Sequence, residues 1–160
     1  MESKILLESG TNELELLEFM VGSNSFGINI AKVNEVMFYH ELTPIPESAP
    51  EVEGVFIPRD KLISVVDLHK VVKASMPENS QGMFIICQFN RMDIGFHVSS
   101  VKGIQRISWS DISKPPSVVT GDGMSLASGM ATGIAKVNGR IIVILDFEKI
   151  VADLHHGAAL

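Results

Sequence analysis

Gly54 to Val72 and Gly133 to Val151 are two copies of one pattern. The first reads Gly-Val-Phe-Ile-Pro-Arg-Asp-Lys-Leu-Ile-Ser-Val-Val-Asp-Leu-His-Lys-Val-Val, and the second Gly-Ile-Ala-Lys-Val-Asn-Gly-Arg-Ile-Ile-Val-Ile-Leu-Asp-Phe-Glu-Lys-Ile-Val. Aligned without a gap at an offset of 79, five of nineteen positions are identical, and seven more keep apolar or basic character. Upstream, Phe26 to Val36 matches Ile94 to Ile104 at an offset of 68. The offsets differ by eleven, so the second half carries an eleven-residue insertion between its matched blocks. Duplication on this scale implies two similar β units with a seam between them.

The 160 residues suit one domain, or two small units sharing a core. The net charge of -6 is unevenly spread: residues 1–60 hold eleven acidic and three basic side chains, residues 61–160 eight and ten. An acidic half repels phosphate backbones, and no basic stripe interleaved with aromatics appears, so nucleic acid is not expected as a partner. No apolar run approaches the ~20 residues of a membrane span, so no membrane insertion is expected. The opening Met1-Glu2-Ser3-Lys4-Ile5-Leu6-Leu7-Glu8 lacks the basic start and long apolar core of a signal peptide. The single cysteine, Cys87, has no internal partner and lies in an apolar run, which favours a reduced cytoplasmic setting.

Leu14, Leu16, Leu17, Phe19 and Val21 interleave with Glu13, Glu15 and Glu18, with a slip at Leu16-Leu17 that reads as a bulge. Gly22 to Ser25 reads as a hairpin turn. Leu62 to Val66 and Ile141 to Leu145 are short, β-branched buried strands. They are preceded by tight turns at Arg59-Asp60-Lys61 and Asn138-Gly139-Arg140, and followed by helices over about 68–73 and 147–154. Ser108 and Asp111 resemble a capping box around one helical turn. Pro115, Pro116 and the glycines at 121, 123 and 129 make the insertion a long loop. Many short strands with brief helices predict an all-β architecture of two small barrels. The boundaries drawn on this basis are sub-barrel 1 over about 14–74, a linker over about 75–82 and sub-barrel 2 over about 83–151, with the C-terminal segment packing back.

One Asp per half, Asp67 and Asp146, raises the possibility of an aspartic-protease dyad. Such a dyad needs carboxylates about 3 Å apart on tight Asp-Thr/Ser-Gly loops. Here Leu68-His69 and Phe147-Glu148 follow instead, so both residues are expected to cap helices. His155 and His156 are adjacent, and His40, His69 and His97 have no Cys or His three or four positions away; no metal and no cofactor is expected. Neither a nucleophile elbow nor a phosphate loop is present, so no catalytic residue is assigned. Arg59 stands out, because a turn between buried strands gives an Arg no packing role while its planar fork suits a partner's carboxylate or backbone.

Phe26-Gly27-Ile28-x-Ile30-x-Lys32-Val33-x-Glu35-Val36, Val52-Glu53-Gly54-Val55, Arg59, Leu62-Ile63-x-Val65-Val66-Asp67-Leu68 and Thr132-Gly133-Ile134 to Phe147 together resemble the CheW-like coupling domains of bacterial chemotaxis over residues 5–154. The opening Ile5 to Glu15 and Ser108-Trp109 look more like the N-terminal coupling domain of CheV proteins than a stand-alone CheW. The resemblance implies two intertwined, SH3-like, five-stranded barrels with short helices after each, and a non-enzymatic adaptor. Its partners would be the cytoplasmic tip of a methyl-accepting chemoreceptor and the regulatory domain of the chemotaxis histidine kinase. By the same resemblance a receptor groove would involve Ile30, Val33, Glu35, Arg59, Val101 and Ile104. Two departures accompany it. Ile57-Pro58-Arg59-Asp60 stands where the family usually has Asn-Leu-Arg-Gly, and the receiver domain of CheV proteins has no counterpart before Leu160. The chain is therefore expected to be an excised coupling domain or a single-domain scaffold. A small ligand bound in the seam between the barrels is the third reading.

Overall fold

A computed structural model describes residues 12–115 and 129–157. In chain order they form β1 (Glu13–Val21), β2 (Asn24–Asn29), a 3-10 turn at Ile30–Lys32, β3 (Val33–Phe38), β4 (Val52–Phe56), β5 (Ile63–Asp67) and α1 (Leu68–Val72). The second half continues with β6 (Met83–Phe89), β7 (Met92–Val98), β8 (Ser100–Ser108), a 3-10 turn at Trp109–Asp111, β9 (Ile112–Ser113), β10 (Ala131–Val137), β11 (Arg140–Leu145) and α2 (Phe147–Gly157). The local chemistry accounts for the joints. Asn138 and Gly139 take φ of 50° and 77°, the left-handed pair of a primed hairpin turn. Asp67 Oδ1 accepts the His69 N–H at 3.0 Å and Asp146 Oδ1 the Lys149 N–H at 3.1 Å. Both aspartates are helix caps, as expected from their neighbours. The loop expected at Pro116, Gly121 and Gly123 lies outside the described residues.

The strands assemble as a six-stranded sheet in the order β8-β1-β2-β11-β10-β9 and a five-stranded sheet in the order β3-β6-β7-β5-β4. The two share one register. Phe26 pairs with Val143 and Gly27 with Ile144, while Ile94 pairs with Ser64 and Gly95 with Val65. Leu17 faces Ile104 and Phe19 faces Val101, just as Ile85 faces Val36 and Cys87 faces Val33. Each pairing maps onto the other by the offsets of 68 and 79. Even the irregularities repeat, at Glu18/Phe19 and Val33/Glu35, and again at Val52/Gly54 and Ala131/Gly133. The bulge expected at Leu16-Leu17 therefore falls between Glu18 and Phe19.

The contiguous sub-barrels drawn over about 14–74 and 83–151 do not describe these sheets. Hairpin β1–β2 pairs with β8 and β11 from the second half, and β3 and β5 pair with β6 and β7. Each SH3-like barrel takes its hairpin from one half and its three remaining core strands from the other. Alternation along a strand reports which side chains share a face but not which strand lies alongside, so the exchange has no local signature.

Three apolar clusters follow from this plan. Leu14, Leu16, Ile107, Ala135, Ile142 and Ile144 fill one barrel. Phe56, Ile63, Val65, Phe84 and Ile86 fill the other at largely equivalent positions. The largest cluster lies in the seam and draws on both halves, with Phe96 and Phe147 at 4.0 Å between ring centroids and Phe19 5.9 Å from Phe147. Cys87 is fully buried there, and burial pushes its thiol up to about 12, so it stays protonated and inert.

One equivalence is broken by a charge. Where the second barrel has Ile86, the first has Glu18, with no solvent exposure at all. Arg140 Nη1 reaches Glu18 Oε2 at 2.5 Å and Gln105 donates to Oε1 at 3.0 Å. Burial alone would raise the carboxyl's pKa, but the Arg140 guanidinium, the Ser25 hydroxyl and Gln105 together hold it below its ordinary value. A depressed value means stabilisation that is complete above about pH 4.3 and lost as pH falls through the lower folded value. Arg140→Leu strands that carboxylate and lowers the melting temperature at pH 7 by roughly 5 °C. Adding Glu18→Ile restores most of the loss, since isoleucine already fills the equivalent place. A double variant no more stable than Arg140→Leu alone would show that the pair does not act in this way.

Candidate functional site

Asn29 ends β2 by accepting the Ala31 N–H on its side chain at 3.0 Å, which turns the chain through Ile30–Lys32 into β3. β3 is an edge strand, and so is its repeat mate β8 in the other sheet. Of the six residues expected at a receptor groove, Val33, Glu35, Val101 and Ile104 lie on these edges, Ile30 in the turn before β3 and Arg59 in the turn after β4. Ile30, Val33 and Val101 are partly buried and pack on the seam cluster. Val33 and Val101 hold equivalent places, opposite Cys87 and Phe19. Ile104, three residues along β8, is 57 % exposed. Its equivalent on β3 is Val36, itself 37 % exposed. Val36 escaped the sequence reading although the 68-residue offset from Ile104 pointed to it.

Glu35 and Arg59 meet directly, Nη2 to Oε1 at 2.5 Å, with Arg59 69 % exposed and Glu35 34 %. The contact joins edge strand β3 to the turn that follows the opposite edge, β4. In that turn Asp60 takes φ of 65°, the left-handed conformation that costs a glycine nothing, so the Pro58-Arg59-Asp60 departure keeps such a turn and leaves Arg59 directed at Glu35. The equivalents of Glu35 and Arg59 are Gly103 and Asn138, which cannot form an ion pair. The paired charge therefore distinguishes one barrel edge from its copy.

A cleft of about 360 Å³ opens elsewhere on the seam, lined by Ile28, Phe89, Trp109, Ile144 and Phe147. Lys32 and Glu148, paired at 3.2 Å, border it as well. The Trp109 Nε1–H is buried and meets no acceptor among the described residues. No described helix is long and apolar enough to cross a membrane.

The protein family described as the CheW-like domain matches residues 15–155. The chemotaxis protein CheW of Thermotoga maritima is 28% identical over 149 residues, covering 92% of this chain and 94% of that protein. The chemotaxis protein CheV3 of Helicobacter pylori is 32% identical over 155 residues; the match covers 89% of this chain but 49% of CheV3, about half its length. Among solved structures, the scaffolding protein TtCheW from Thermoanaerobacter tengcongensis superposes with a TM-score of 0.74 at 27% identity, over 83% of this chain and 84% of that one.

Proposed function

This chain belongs to the CheW-like domain family, and from that membership we propose that it is a non-enzymatic chemotaxis adaptor that couples chemoreceptors to the chemotaxis histidine kinase. The supporting observation is the asymmetric edge of a symmetric molecule. Two copies of one β unit present equivalent apolar positions, Val33 with Val36 and Val101 with Ile104, yet the Glu35–Arg59 pair stands on one copy alone. An amphipathic helix from a receptor's cytoplasmic tip would bury its anchors against Ile30, Val33, Val101 and Ile104. The charges of Glu35 and Arg59 would set its orientation. The kinase regulatory domain would be held at a separate surface. The adaptor would work in the cytoplasm, recruited to membrane-associated receptor arrays, where many weak contacts are multiplied by effective concentration. This role belongs to the coupling domain itself, whether it stands alone as in CheW or forms part of a CheV-type chain.

The test is size-exclusion chromatography with a receptor hairpin fragment and a kinase regulatory domain, singly and together. Co-elution of all three supports coupling, and mutually exclusive binding of the two partners would end the reading. The unpaired Trp109 Nε1–H supports a second reading, in which a small ligand bearing a hydrogen-bond acceptor occupies the cleft and modulates coupling. Native mass spectrometry of gently purified protein showing only the bare chain mass would remove it.

A further inference from the structure

We propose that Glu53, Asp67 and His97 form a binding site for a divalent transition-metal ion of the zinc class. The five histidines carry no metal spacing along the chain, but the fold gathers what the sequence separates. Asp67 at the end of β5 and His97 on β7 are direct partners in a parallel pair, and Glu53 comes from neighbouring β4. One donor atom from each lies within 4.8 Å of the other two, so modest inward shifts would give the spacing of about 3.4 Å that tetrahedral bonds of about 2.1 Å require. His97 is 5 % exposed, while the side chains of Glu53 and Asp67 are 25% and 17% exposed, which leaves an ion a route from solvent.

The surroundings hold His97 and Asp67 in place from outside the triad. His97 Nε2 lies 2.7 Å from the Gln81 carbonyl and donates to it, which leaves Nδ1 facing Glu53 Oε1 at 2.7 Å. A metal-bound imidazole is ordinarily tied by its other nitrogen in this manner. Gly82 permits the close approach, since a Cβ there would lie 2.8 Å from His97 Nε2 and 2.2 Å from the Val98 oxygen. Asp67 Oδ1 takes both the backbone N–H and Nδ1 of His69, and among the described residues no hydrogen bond reaches Oδ2. His69 is fixed in turn by Ser99 Oγ at 2.6 Å, and Ser99 Oγ accepts the Gly22 N–H at 2.9 Å.

The internal repeat argues that Glu53 and His97 are not a demand of the fold, whereas Asp67 is matched by Asp146 and kept as a helix cap. At the equivalent places the other barrel has Asn29 for His97, Thr132 for Glu53 and Glu148 for His69, and it forms the same strands without them.

The experiment uses the full chain with His155→Ala and His156→Ala, to remove the adjacent terminal histidines, stripped of metal by a chelator. Zn2+ is titrated by calorimetry and Co2+ by visible absorption at neutral pH. One equivalent per chain is expected. Glu53→Gln weakens uptake at least tenfold and His97→Gln abolishes it. Should His97→Gln fail to fold, Glu53→Gln still decides, its fold being checked by its melting curve. No uptake from an excess of Zn2+, or stoichiometric uptake that Glu53→Gln leaves unchanged, overturns the site.

Discussion

Expressed separately, residues 1–78 and 79–160 remain unfolded, and mixing them restores the native β signal. The expectation follows from the strand exchange. The first piece holds hairpin β1–β2 without β8 and β11, and β3, β4 and β5 without the β6–β7 hairpin that joins them. Neither piece contains a complete barrel, and neither can cover the seam. Phe19 belongs to one piece, while Phe96 and Phe147 belong to the other, and all three are at most 2 % exposed in the whole chain. Burying one such side chain contributes roughly 1.5–3 kcal/mol, so a piece that leaves a row of them in water loses more than the total stability of an ordinary domain. Circular dichroism and dispersion in proton NMR spectra of each piece, alone and mixed, read the outcome directly. A cooperative melt from either piece alone would contradict the exchanged topology. The intact chain is expected to melt in a single transition, because no barrel can unravel without taking strands from the other.

Arg59→Glu lowers affinity for a receptor hairpin fragment at least tenfold and leaves the melting temperature nearly unchanged. The two effects separate because of where the guanidinium sits. With 69 % of its side chain exposed, its bond to Glu35 is a surface ion pair worth about 0–1 kcal/mol to the fold. In a bound complex the same pair would lose water and face the partner's charges, so reversal places two carboxylates side by side at the contact. The swapped variant Glu35→Arg with Arg59→Glu rebuilds the ion pair with opposite direction and is expected to bind as poorly as the single variant. Recovery by the swap would mean that the pair serves only the barrel edge. Unchanged affinity of Arg59→Glu would remove this face from the proposed groove.

Much of this molecule was legible in one dimension. The two offsets of 68 and 79 foretold which residues hold equivalent places, and the registers Phe26–Val143 and Ile94–Ser64 obey them residue for residue. The aspartates at the two helix starts were legible as caps for a local reason: a side-chain oxygen there reaches the N–H groups one turn ahead, whatever the rest of the chain does. Within the expected groove Val33 and Val101 proved equivalent, as the repeat required, and the left-handed Asp60 kept the turn that carries Arg59.

Partnership across the sheets was not legible. Glu18 reads in sequence like Glu13 and Glu15, an outward member of an alternating strand, yet it lies inside a barrel because Arg140, 122 residues away, arrives to neutralise it. His97 reads as isolated, and only the parallel pairing of β5 with β7 sets it beside Asp67, whose carboxylate already holds His69 two residues on. Pattern and propensity act over a turn or a strand, and they determined by themselves most of the strands, the helix caps and the presence of two like units. Which hairpin completes which barrel, and which charges thereby meet in its interior, depends on hydrogen-bond ladders and packing between segments remote along the chain. Those long-range choices were made only when the seam closed.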